Sequence, residues 1–138
     1  MQNDKAQPLV GIVLTVLSSI LLVGILTFAG PCDVHDDGTV SSCYWASRAV
    51  LGVGVVLVVI SLVRIFERDE GERRGLSFSA ALLGVLVAVL PGVLIDLCMM
   101  QTMRCHTVMR PFALVMGVLI AVVGGVDLVR RLLAIARR

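Results

Sequence analysis

The amino-acid sequence predicts an all-α integral membrane protein: a four-helix bundle of two antiparallel transmembrane hairpins with two short cysteine-bearing outer loops. Three observations predict it. Hydrophobic residues make up 58% of the 138 positions and charged residues only 16%, against roughly 25% charged residues in soluble domains. Four apolar stretches each approach the ~20 residues that a helix needs to cross ~30 Å of hydrocarbon. The four cysteines fall in alternate connections between those stretches, which puts both cysteine loops on one side. The whole chain, 1–138, reads as a single domain.

The stretches run from Leu9 to Ala29, Ala49 to Phe66, Leu76 to Leu97 and Phe112 to Val129. Lone strands are excluded as spans because their backbone groups would be unsatisfied in lipid. Barrel strands would alternate in polarity, and these stretches are apolar throughout. The first stretch reads as a retained helix rather than a cleaved leader. Its basic region is Lys5 alone, its apolar run is long, and Pro31 directly precedes Cys32.

Charge sets the expected orientation. Lys5, Arg64, Arg68, Arg73, Arg74, Arg130, Arg131, Arg137 and Arg138 lie on one side, and only Arg48, Arg104 and Arg110 on the other. By the positive-inside rule both termini are cytoplasmic. The cysteine loops then face an oxidising compartment, where disulfides persist.

Within the helices, small residues recur at four-residue spacing. The third carries Ala80, Gly84, Ala88 and Gly92, and the fourth Ala113, Gly117, Ala121 and Gly125. Such faces let backbones approach closely, so these two helices should form a tight pair. Pro91-Gly92 predicts a kink in the third helix. Asp96 is expected to pair with Arg48, Arg104 or Arg110. Asp127 is expected to pair with Arg130 or Arg131 along its own helix. Residues 67–75 read as a solvated mixed-charge connector. The tail 128–138 reads as a basic amphipathic extension lying against lipid headgroups.

The outer loops carry the chemistry. The first, Pro31 to Cys43, contains the turn signal Asp36-Asp37-Gly38 and ends at Tyr44-Trp45, an interfacial anchor. Closing it by Cys32–Cys43 would stabilise by roughly 3 kcal/mol in the simple chain-entropy view. The second loop concentrates Cys98, Met99, Met103, Cys105, His106 and Met109. Three readings stay open for it: a second disulfide, Cys98–Cys105; ligation of Cu(I) or haem by thioether, thiolate and imidazole; or thiol–disulfide exchange with Cys32 and Cys43. No Cys-x-x-Cys is present.

Cys98-Met99 with Met103-Arg104-Cys105-His106-Thr107, followed by Arg110-Pro111, resembles the signature of an uncharacterised family of small bacterial four-helix membrane proteins, a domain of unknown function. The resemblance extends to Cys32, Cys43 and Tyr44-Trp45. It implies the bacterial inner membrane and an accessory role beside ABC-type export systems, and it assigns no catalytic residue. The architecture is also similar to the quinone-linked enzymes that generate protein disulfides. The cysteine spacings depart from theirs, and Arg48 is the residue that reading would set against a quinone ring.

The leading expectation is a non-enzymatic accessory membrane protein with a disulfide-stabilised outer cap. Its partners would be the lipid bilayer and a transporter subunit or a second copy of itself, with no nucleic acid. A quinone-linked thiol–disulfide oxidoreductase and a Cu(I)- or haem-binding protein are the alternatives. A channel or secondary transporter is disfavoured, since no helix carries an ionic site at the membrane midplane.

Overall fold

The computed structural model describes residues 6–29, 42–96 and 105–138. It is all-helical. α1 spans Ala6–Thr27, α2 Ser42–Phe66, α3 Glu70–Val89 and α4 Arg110–Ala136, with a π-helical turn Cys105–Met109 leading into α4. Among the described residues there is no strand. Three helical segments are long and apolar enough to cross a membrane: Pro8–Thr27, Ser42–Phe66 and His106–Ala136. The protein is therefore helical and of membrane type.

α3 departs from the expected third span in two ways. It begins at Glu70, well before Leu76, so most of the expected connector 67–75 is its first turns. Asp69 caps it, its Oδ1 accepting from Gly71 N at 2.8 Å. Glu70 and Glu72 in the first turn complement the helix dipole. At its other end the helix stops at Val89 instead of kinking and running on to Leu97. Pro91 lacks an N–H, and Gly92 adopts φ +97°, a conformation favoured by glycine. The chain turns there, with Gly92 N donating to Ile95 O at 3.1 Å and Ile95 N to Leu90 O at 3.1 Å. The apolar part of α3 is thus left shorter than a full span.

α2 and α4 are longer than the apolar windows. α2 begins at Ser42, ahead of its apolar window, and α4 continues to Ala136. A helix satisfies its own backbone groups, so it crosses the membrane boundary without penalty.

α3 and α4 pack most extensively, α1 and α2 next, and the two hairpins meet more thinly through α1 with α4 and α2 with α3. The α3–α4 contact is backbone on backbone. A Cβ on Gly84 would lie 2.6 Å from Ala121 N, and one on Gly117 would lie 2.6 Å from Ala88 N. Between the hairpins, Phe112 of α4 meets Phe28 edge-on at 5.0 Å, its ring lying over Gly24. Leu14, Leu21, Val50, Leu57, Val87 and Ile120 fill the centre. Large apolar side chains cover the outward faces, as a lipid solvent requires.

Candidate functional site

The most distinctive site lies where α2 and α4 finish and α3 begins. Arg64 falls in the last turn of α2, flanked by Val63 and Ile65. Asp127 lies on α4 between Val126 and Leu128, and Ser77 on α3. Arg64 and Asp127 are flanked by apolar residues, so each is costly to bury unless paired. Arg64 Nη2 donates to Asp127 Oδ2 at 2.8 Å. Arg131 Nε donates to the same oxygen at 2.9 Å, one helical turn along α4. Ser77 Oγ stands 2.9 Å from it and 2.8 Å from Arg73 O, with one proton to give.

The network continues outward. Arg131 Nη1 reaches Glu70 Oε2 at 2.7 Å, and Glu70 lies 4.0 Å from Arg73. Burial grades along this path. Arg64 is 3% exposed, Asp127 9% and Ser77 0%, whereas the Glu70 side chain is half exposed. Two further nitrogens of Arg64, Nε and Nη1, are buried without a hydrogen-bond partner among the described residues. One carboxylate thus joins α2, α3 and α4 through charge-assisted bonds, which are the strong kind.

Next to this network, the short connection into α3 holds a coupled pair of acids. Glu67 Oε1 accepts from Arg68 N at 3.0 Å and Asp69 N at 3.3 Å. Hydrogen bonds from Asp69 N, the Glu72 side chain and Arg68 N hold the Glu67 carboxyl below its ordinary range. The Glu72 carboxyl is pushed up, first by its hydrogen bond to Glu67 and then by the charge of Glu67.

The other sequence-predicted residues are placed as follows. Cys32, Cys98, Met99, Met103 and Arg104 lie outside the described residues, as does the side chain of Cys105. Cys43 is fully buried in the first turn of α2. Met109 is fully buried in the apolar core, and His106 is half-buried in the π-helical turn. Arg48 folds over its own helix: its guanidinium sits 5.1 Å from the Tyr44 ring centre and donates to the Tyr44 hydroxyl at 3.0 Å. Asp96 is exposed and forms no ion pair with Arg48 or Arg110 among the described residues. Arg110 instead packs on Gly92, which lies beyond the end of α3 and off the α3–α4 contact.

On that contact, Ala80 and Ala113 are buried, and Ala88 and Ala121 meet the glycines opposite. Gly125 meets nothing within 4 Å, while a Cβ on Gly124 would stand 3.1 Å from Ala81 N. Helical rotation explains the difference. Seven residues beyond Gly117 the helix returns to within roughly 20° of the same face, and eight residues leave it roughly 80° away.

Arg64 and Ser77 escaped the sequence reading. The legible signal was a lone arginine enclosed by apolar residues on both sides, which is costly unless paired. In the sequence Arg64 reads only as an orienting charge.

Residues 14–130 match the sequence family described as a domain of unknown function, DUF4418. The chain belongs to this family. The DUF4418 match takes in Arg64, Glu70, Ser77 and Asp127 and stops one residue short of Arg131. No curated protein and no solved structure matches the chain.

Proposed function

We propose that this DUF4418 chain is a small multi-pass membrane protein of accessory type, which works by contact with another membrane protein and not by catalysis. It sits in the bacterial inner membrane with both termini cytoplasmic, and Cys32–Cys43 and Cys98–Cys105 close its outer cap. The observation that carries this reading is the Arg64–Asp127 network. Its central carboxylate, Asp127, ties α2, α3 and α4 together through Arg64, Ser77 and Arg131. A bundle joined in this way presents its outer surface to its surroundings. α2 supplies the best-suited face, with Gly52 in open space beside exposed Val55, Val56 and Val59. Small residues beside β-branched ones suit helix–helix contact in lipid. The partner that the family resemblance implies is a subunit of an export transporter.

A photoreactive residue placed at Val55 or Val59 in native membranes tests this. The expected product is one discrete heavier adduct with a second protein. Adducts to lipid or to a second copy alone would overturn the reading.

A further inference from the structure

Past Asp127, α4 runs on for about two and a half turns. We propose that these turns hold an anionic phospholipid, its phosphate bridged by Arg130 and Arg137 and its acyl chain laid over Leu133 and Ala134.

The charges sort themselves first. Arg131 is engaged by Asp127 and Glu70. No ion pair reaches Arg130 or Arg137 among the described residues, and both are exposed. They stand seven residues apart, two turns of one helix face, so their Cα atoms are about 10.5 Å apart. Two extended arginines converge across that gap on one phosphate, which suits their planar donor geometry. Between them is a shallow, open depression of about 400 Å³ on one helix face, lined by Arg130, Leu133, Ala134 and Arg137.

The apolar side chains supply the second argument. Leu132 is 51% exposed, Leu133 53% and Ile135 44%. They lie beyond the level at which Arg131 meets half-exposed Glu70, at the charged end of the bundle. At 27 residues α4 is about 40 Å long, some 10 Å more than hydrocarbon requires. Its last turns therefore lie among headgroups, with leucines reaching the acyl chains beside them and arginines reaching the phosphates. A soluble acidic peptide would match the charge but leave the leucines in water. A lipid matches both.

The test is native mass spectrometry of the full chain released from micelles doped with phosphatidylglycerol or phosphatidylcholine. Phosphatidylglycerol should remain bound and phosphatidylcholine should not. The exposed substitutions R130Q and R137Q together should weaken retention roughly thirtyfold, at about one headgroup-level charge interaction per arginine. Arg68→Gln, on the exposed connector, should leave retention unchanged. Leu133→Ser should also weaken retention, and millimolar inorganic phosphate should fail to displace the lipid. Equal retention of the two lipids, or indifference to R130Q/R137Q, would overturn the proposal. Displacement by free phosphate would overturn the lipid as the occupant, as would a protein adduct from a photoreactive residue at Leu133.

Discussion

Removing either end of the Arg64–Asp127 bond should have very unequal effects. Asp127→Leu strands Arg64, which is 3% exposed and already has two unpartnered nitrogens. Leaving one member of a buried pair without its counter-charge costs about 3–5 kcal/mol. Arg64→Met is milder. Asp127 keeps Arg131 at 2.9 Å and the Ser77 hydroxyl at 2.9 Å, and methionine retains much of the buried stem. One charge-assisted bond of about 1.5–3 kcal/mol is lost, but burial of the two unpartnered nitrogens, a cost of similar size, is relieved. The net penalty is then below about 2 kcal/mol. In the double variant Arg131 still has Glu70, and Ser77 still has Arg73 O. Its stability should return close to that of the parent, as apolar replacement of whole buried pairs often does. Reversible unfolding in mixed micelles, by titrating denaturing detergent, measures all three. Arg64→Met costing as much as Asp127→Leu would refute the reasoning, since it would mean that Asp127 depends on Arg64 alone.

Other outcomes follow from the same geometry. Gly84→Val should drive α3 from α4, since its Cβ would meet Ala121 N at 2.6 Å, and cost about 1–3 kcal/mol as overpacking does; Gly125→Ala, facing open space, should be neutral or stabilise by up to ~1 kcal/mol in the same titration. In a carboxyl-resolved NMR titration, Glu72 should titrate above the ordinary glutamate range and Glu67 below it. The stabilising share of Glu72 is then present at pH below its unfolded value and lost as pH rises through its raised folded value, while that of Glu67 is present above its unfolded value and lost as pH falls through its lowered one. Glu72→Gln should remove the upper of the two transitions, and a profile unchanged by it would contradict the shared hydrogen bond. Non-reducing peptide mass spectrometry on protein from native membranes should recover Cys32–Cys43 and Cys98–Cys105 as linked peptides; alkylated or cross-loop cysteines would count against the cap.

The sequence reveals helices better than it reveals their ends, and three of the four expected spans are long and apolar enough to cross a membrane. Apolar runs located all four helices, because lipid-facing and core-facing positions are both apolar. The same property hid the boundaries: Ser42 to Arg48 is mixed and Glu70 to Gly75 polar, yet both are helical, since a helix carries its hydrogen bonds with it past the hydrocarbon. Pro91 was visible, but kink and stop share one sequence signal, and the positive φ of Gly92 decides for a stop. At the candidate site, Asp127 and its bond to Arg131 were legible because they lie one turn apart on a single helix. The bond to Arg64 was not, since nothing in a linear string says that residues 63 positions apart share a buried corner. Ser77 was the least legible, because serine is common in such helices and its partner is set entirely by packing.

The thin meeting of the two hairpins gives the Arg64–Asp127 bond a mechanical meaning. It crosses from one hairpin to the other at one extremity of the bundle, while the opposite extremity is joined by the softer edge contact of Phe28 with Phe112. The buried charge-assisted bond fixes direction at one end, while the edge contact of two rings at the other has no hydrogen bond to do so. Small rotations about Arg64 become the largest displacements at the far end, where α2 starts and the π-helical turn leads into α4. A load applied at that far end would be felt as torque at one carboxylate.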